Sequence, residues 1–203
     1  MLPENRLKTW IFGRIAFFAK WVYLGYFKTI KIQVCNPELA PQNLSAPNAI
    51  YGSWHSKTFL LLPYCRNSKT VLLTLLDWKN YFYDKLSLSF GYKTIPVTSN
   101  SRATIRLLQH LRQNFHVGLA VDGPKGPRGI IKPGVLYLSS KSKKPLVIIS
   151  VKCFNSIRLT WRWDRYEIPL PFSKAEIVFN PPIVLADNGF VSQPRISTLL
   201  GAP

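Results

Sequence analysis

The chain has 203 residues, of which 47% are hydrophobic and 13% aromatic, and a formal net charge of +18. That apolar content excludes intrinsic disorder and is enough for the core of one folded domain. The charge asks for a polyanion or an anionic membrane surface. The cations lie between apolar blocks rather than in runs, so nucleic acid is not an expected partner.

In chain order, residues 10–27 come first. They carry Trp10, Phe12, Phe17, Phe18, Trp21 and Tyr23 among Arg14, Lys20 and Lys28. The stretch is too short and too charged for a membrane span, and no cleavage site follows it. Its chemistry is that of one or two helices lying in one membrane leaflet. A strand is expected over 29–34. A loop rich in Pro, Asn and Ser then runs to Pro47, the candidate linker between an interfacial segment (1–30) and a main domain (31–203). From there strands and helices alternate. Strands are expected at 48–53, 70–75, 93–97, 117–121, 146–151 and 175–179, and helices at 55–62, 81–90, 101–114 and 134–141, with Ser101 as an N-cap. The pattern predicts a single α/β domain with a mostly parallel central sheet flanked by helices. Such sheets bind ligands beyond the carboxyl ends of their strands.

Two strand ends carry chemistry. Trp54-His55 closes the first strand of the main domain, at the start of a helix. A helix start disfavours the imidazolium, so His55 stays neutral and can take a proton from a hydroxyl. The second strand end is Asp122-Gly123-Pro124-Lys125-Gly126-Pro127-Arg128-Gly129. It is too short for a collagen helix and is not a Walker A loop. Its prolines fix φ, its glycines let backbone approach a ligand, and its cations suit a phosphate. Arg102 follows another predicted strand. Cys35, Cys65 and Cys153 have neither metal-ligand nor disulfide spacing, and read as thiols in a reducing compartment; no metal is expected.

These residues also carry a family resemblance. Trp54-His55 with Leu60-Leu61-Leu62-Pro63, Gly91-Tyr92-Lys93-Thr94, Ser99-Asn100-Ser101-Arg102, the Asp122–Arg128 block, Lys132-Pro133-Gly134-Val135 and the block from Trp163-Asp164-Arg165 to Phe172-Ser173 stand in order over roughly residues 45 to 185. The chain resembles the lysophospholipid acyltransferase (glycerolphosphate acyltransferase-like) superfamily, and within it the bacterial branch called the domain of unknown function 374 family. The resemblance implies transfer of an acyl chain from acyl-CoA or acyl carrier protein, as co-substrate rather than cofactor, to a hydroxyl of a lysophospholipid or a lipid A-type acceptor. It implies a peripheral place on the cytoplasmic face of the inner membrane, with anionic lipid as a partner. His55 and Asp122 are the implied catalytic residues, and Arg102, Gly123, Lys125 and Arg128 the implied substrate-binding ones, with amides near Gly123 facing an oxyanion. Two positions depart from the pattern. Leu60 stands where the superfamily has the acid that orients the histidine, which leaves Asp77, Asp84 and Asp122 as candidates. Trp78-Lys79-Asn80 stands where the branch has Arg-Asp-Gly. A non-catalytic basic module that binds anionic lipid is the alternative; it shares the charge but has no need of His55.

Overall fold

The computed structural model describes residues 6–75, 78–97, 102–185, 193–201 and 203. A seven-stranded sheet organises them. Its strands are β1 (Lys31–Cys35), β2 (Ile50–Ser53), β3 (Thr70–Leu75), β4 (Lys93–Val97), β5 (His116–Ala120), β6 (Leu146–Cys153) and a late strand, Lys174–Phe179. Between the last two comes a two-stranded antiparallel ribbon, β7 (Ser156–Arg158) with β8 (Glu167–Pro169), so the late strand is β9. The order across the sheet is β1-β9-β6-β2-β5-β3-β4. Every pairing is parallel except β6 with β9. The mostly parallel α/β domain expected from the alternating pattern is what the chain forms.

The side-chain alternation of β2 and β6 divides the core in two. Tyr51, Val147 and Ile149 point to one face, against α1 (Arg6–Lys28), α2 (Thr58–Tyr64) and α3 (Trp78–Ser89). Ile50, Leu146 and Ile148 point to the other, against α4 (Arg102–Arg112), α5 (Pro133–Ser142) and α6 (Gln193–Leu200). All four residues of β2 are buried. Covering both faces is why these central strands read as continuous apolar runs rather than as alternating ones.

Helix α1 is one continuous helix. Its Ala16 is buried, the Tyr23 hydroxyl donates to the Phe59 carbonyl (2.5 Å), and Lys20 Nζ donates to the Ser89 carbonyl (2.7 Å). Its other face leaves Trp10, Phe17, Phe18, Trp21 and Val22 exposed. No helix among the described residues is long and apolar enough to cross a membrane. The Pro/Asn/Ser loop expected as a linker is tied to the sheet: Asn36 Nδ2 donates to Phe179 O, and the Tyr51 hydroxyl to Leu39 O.

Candidate active site

The register of two neighbouring strands brings His55 to Asp122. In the parallel pair β2–β5, Ser53 stands opposite Ala120. Two residues further on, each chain has left the sheet at its carboxyl edge, and the Asp122 Oδ1 atom accepts the backbone N–H of His55 at 3.1 Å. The Val121 N–H donates to Ser53 O, and the Lys132 N–H to Val121 O, which pins the turn from both sides. Asp122 is fully buried. Its other oxygen, Oδ2, is buried without a hydrogen-bond partner among the described residues, and so is His55 Nδ1. A carboxylate oxygen that needs a donor and a ring nitrogen able to donate thus sit on two residues already linked by a hydrogen bond.

His55 opens a 3₁₀ turn, His55–Lys57, that leads into α2. Its pKa lies below the usual histidine value. Burial is the main cause, Arg162 pushes the same way, and Asp164 and Asp122 oppose them. The ring is therefore neutral at pH 7, as expected, through desolvation first rather than through the helix start. Burial likewise raises the Asp122 carboxyl above its usual range, against the hydrogen bond it accepts from His55.

The segment between β7 and β8 holds the other edge of the ring. Asp164, fully buried, places Oδ2 3.8 Å from His55 Nε2. Arg162 grips that carboxylate with two hydrogen bonds of 2.9 Å, and the Tyr166 N–H adds one of 3.3 Å. Burial is the largest influence and would raise the Asp164 pKa; the Arg162 hydrogen bonds and charge, with His55 and the Tyr166 N–H, together outweigh it and hold the carboxyl below its usual range. The Trp163 ring lies edge-on to the imidazole at 5.4 Å. It also packs on the glycine loop, where a Cβ on Gly126, at φ +68°, would come within 2.5 Å of the indole. Beneath, Lys57 forms a buried ion pair with Glu167, whose other oxygen receives the Ser156 hydroxyl. These bonds clamp the ribbon to the His55 turn.

His55 lines a cavity of about 700 Å³. It follows β2 from His55 back to Tyr51, about 13 Å at 3.3 Å per residue. Leu61, Leu62, Leu72, Tyr92 and Leu119 make much of its wall, and Trp161, Arg162, Trp163 and Tyr166 line the end beside His55. Gly118 keeps the floor low: a Cβ there would come within 2.7 Å of the Leu72 side chain. Volume and lining match small-molecule sites, which run about 300–1,000 Å³ and are mostly apolar with a few placed polar groups.

The other expected site residues spread out. Arg102 opens α4 after β4, on the same edge of the sheet, but three strands from β2, roughly 14 Å at the usual strand spacing. It is exposed and does not line the cavity. Lys125 is exposed on the loop, whose Pro124 lines the cavity. Of the amides near Gly123 expected to face an oxyanion, the Gly123 N–H itself donates to Ala120 O at 3.0 Å and closes the turn. Arg128, expected to hold substrate, donates to the Pro203 carbonyl. Of the three candidate orienting acids, Asp122 is at His55. Asp84 on α3 accepts from the Thr74 hydroxyl at 3.3 Å. Asp77, like Ser101, lies outside the described residues. Asp164 is a neighbour of the histidine that the sequence does not announce: its Trp-Asp-Arg block carries the family resemblance, but nothing in its spacing ties residue 164 to residue 55.

No family model matches the chain. An uncharacterized protein of Rickettsia prowazekii (strain Madrid E) is 26% identical over 148 residues, which cover 70% of this chain and 66% of that one, just under two thirds of its length. Among solved structures, the 1-acyl-sn-glycerophosphate acyltransferase PlsC from Thermotoga maritima superposes with a TM-score of 0.56 at 16% identity, covering 98% of this chain and 80% of that one. The protein therefore shares the fold of a lysophosphatidate acyltransferase across nearly its whole described length.

Proposed function

We propose that the protein is an acyltransferase that moves an acyl chain from a thioester carrier to a hydroxyl of a lysophospholipid or lipid A-type acceptor. One observation carries the reading: a neutral, half-buried histidine with a buried acid beside it lines an apolar cavity. An acyl chain is the substrate that suits such a cavity. Each methylene it buries is worth about 0.8 kcal/mol, which holds a long chain without any polar anchor.

In this mechanism His55 Nδ1–H and Asp122 Oδ2, unpaired in the free protein, pair once substrate is bound, which fixes the tautomer that leaves the Nε2 lone pair free. The acceptor hydroxyl gives its proton to Nε2 as its oxygen bonds to the thioester carbon. When the C–S bond breaks, the thiolate leaves and takes that proton. Between these steps the imidazolium lies 3.8 Å from the Asp164 carboxylate, which stabilises it. Exposed Lys125 meets the phosphate of acceptor or carrier as a point charge. The fold shared with PlsC supports this reading. The acceptor, the choice between CoA and acyl carrier protein, the bacterial branch and the cytoplasmic face of the inner membrane are part of the proposal.

The test is acyl transfer by the purified chain from labelled acyl-CoA and acyl carrier protein thioesters to a panel of lysolipids. His55→Ala is expected to lower the rate about 10²–10⁴-fold, the usual contribution of a placed proton acceptor. Near-normal turnover by His55→Ala refutes the mechanism. Vesicle binding with no transfer to any acceptor favours the non-catalytic lipid-binding module.

A further inference from the structure

The segment between β6 and β9 has an outer face that the proposed chemistry does not use. Phe154, Ile157, Trp161, Leu170 and Phe172 are exposed there, Trp161 by 78% and Phe172 by 81%. With Trp163, six large apolar side chains within nineteen residues are left exposed on one short segment, a concentration that marks an interaction surface.

Loose packing does not explain the exposure. The ribbon is held from inside by the Lys57–Glu167 pair, by Arg162 on Asp164 and by the Leu170 N–H on Asn155 O. It is also held from the side, where the Tyr26 hydroxyl of α1 donates to Pro169 O at 2.7 Å. The backbone bears a cost to present these side chains. Phe172 sits at φ +62° and Arg165 at φ +48°, in the left-handed region that bulky residues avoid. Phe172 contributes little to the core in return.

The charges on this face have one sign. Lys152, Arg158, Arg162, Arg165 and Lys174 are exposed. The two acids of the segment are buried: Asp164 is neutralised by Arg162, and Glu167 by Lys57 with Arg158 Nε also 3.5 Å away. A surface of Trp, Phe and Leu interspersed with arginine, with no outward acid, complements the headgroup region of an anionic bilayer: rings at the acyl boundary, guanidinium groups on phosphates. A protein groove would not need a cation beside each ring, and nucleic acid would not need Leu170 and Ile157.

The location adds the function. Trp161, Arg162 and Trp163 also line the cavity end beside His55, so this face adjoins the cavity. We infer that the β7–β8 ribbon is a membrane-docking element, distinct from α1, that seats this end of the cavity on an anionic bilayer. A lipid substrate then reaches His55 without crossing water. Docking itself does not depend on His55 chemistry.

The experiment uses the full chain in vesicle co-sedimentation, with phosphatidylcholine alone and with phosphatidylcholine containing phosphatidylglycerol. Trp161→Ser with Phe172→Gly is expected to lower partitioning onto the anionic vesicles by about tenfold or more. Arg165→Gln with Lys174→Gln should lower it about fivefold per cation, on anionic vesicles only. Phe172→Gly separates docking from folding. Glycine adopts positive φ freely, so its thermal midpoint should stay level or rise while binding falls. The single variant Thr160→Cys, labelled with an environment-sensitive fluorophore against a wild-type blank, should shift to the blue on anionic vesicles. Variants that partition like the wild type, an unshifted label, or binding to RNA but not to vesicles each overturn the inference. A chain that docks through this ribbon yet transfers no acyl group keeps it and removes the acyltransferase reading.

Discussion

Replacing Asp122 by Asn separates a catalytic strain from a structural need. Asp122 is fully buried, with one oxygen on the His55 amide and the other unpartnered. Burial raises its pKa, so the folded state holds the proton more tightly than the unfolded chain does. The sign follows: the group favours the fold at pH below its unfolded value, and that contribution is lost as pH rises through the folded pKa. At neutral pH the ionised carboxyl costs stability. Asn keeps an oxygen for the His55 N–H and removes the charge. A buried, unsatisfied polar atom costs about 1–3 kcal/mol, and part of that returns with the amide, so a gain of about 1 kcal/mol is expected. In a domain of this size that raises the melting midpoint by roughly 2–4 °C. The gain should be present at pH 7 and fade as pH falls toward the ordinary carboxylate range. Activity should move the other way. The Asn amide N–H, donated to His55 Nδ1, forces the proton onto Nε2 and blocks the base, a loss of about 10²–10⁴-fold. Thermal melts across pH and acyl transfer on the same preparation measure both. A variant that melts lower and keeps its activity per folded molecule would refute the reasoning.

Three other outcomes follow from the same structure. The acid limb of kcat/KM should have its midpoint below 6.5, because burial lowers the His55 pKa; a midpoint above 6.5 would mean that Asp164 and Asp122 dominate the ring instead. Stability should also weaken below pH 6.5, since the unfolded chain protonates His55 and His116 while the fold keeps both neutral. Lys57→Met strands the buried Glu167 carboxylate and should cost about 3–5 kcal/mol in denaturant unfolding, with much of it restored by adding Glu167→Gln.

The alternation of strand and helix was readable because parallel strands covered on both faces are continuous apolar runs, as in 146–151, and amphipathic helices such as α4 repeat Leu107 and Leu111 at helical spacing. The ribbon was not readable. β7 and β8 have three residues each, too few for a period, and their positions come from the Lys57–Glu167 pair and the Tyr26–Pro169 bond, which join residues more than a hundred positions apart.

The site divides along the same line. His55 and Asp122 were legible together because each lies two residues past a strand end, and a parallel pair in register brings equal offsets to the same point on the sheet edge. Arg102 also follows a strand, β4, yet strand order rather than offset sets its distance from the histidine, and β5 and β3 intervene. Arg128 and Gly123 are engaged within the protein for a different reason. A loop of glycines and prolines still has to satisfy its own donors, so the Gly123 N–H goes to Ala120 O and the Arg128 guanidinium to Pro203 O. Asp164 is the complementary case. Its nearness to His55 exists only once the ribbon has folded back over the sheet, and the inward turn of that acid leaves the outer face of the same segment to arginine and tryptophan. One short segment thereby presents its carboxylate to the imidazole and its rings to the outside. The sequence block Trp161-Arg162-Trp163-Asp164-Arg165 reads as one motif because one segment meets both demands.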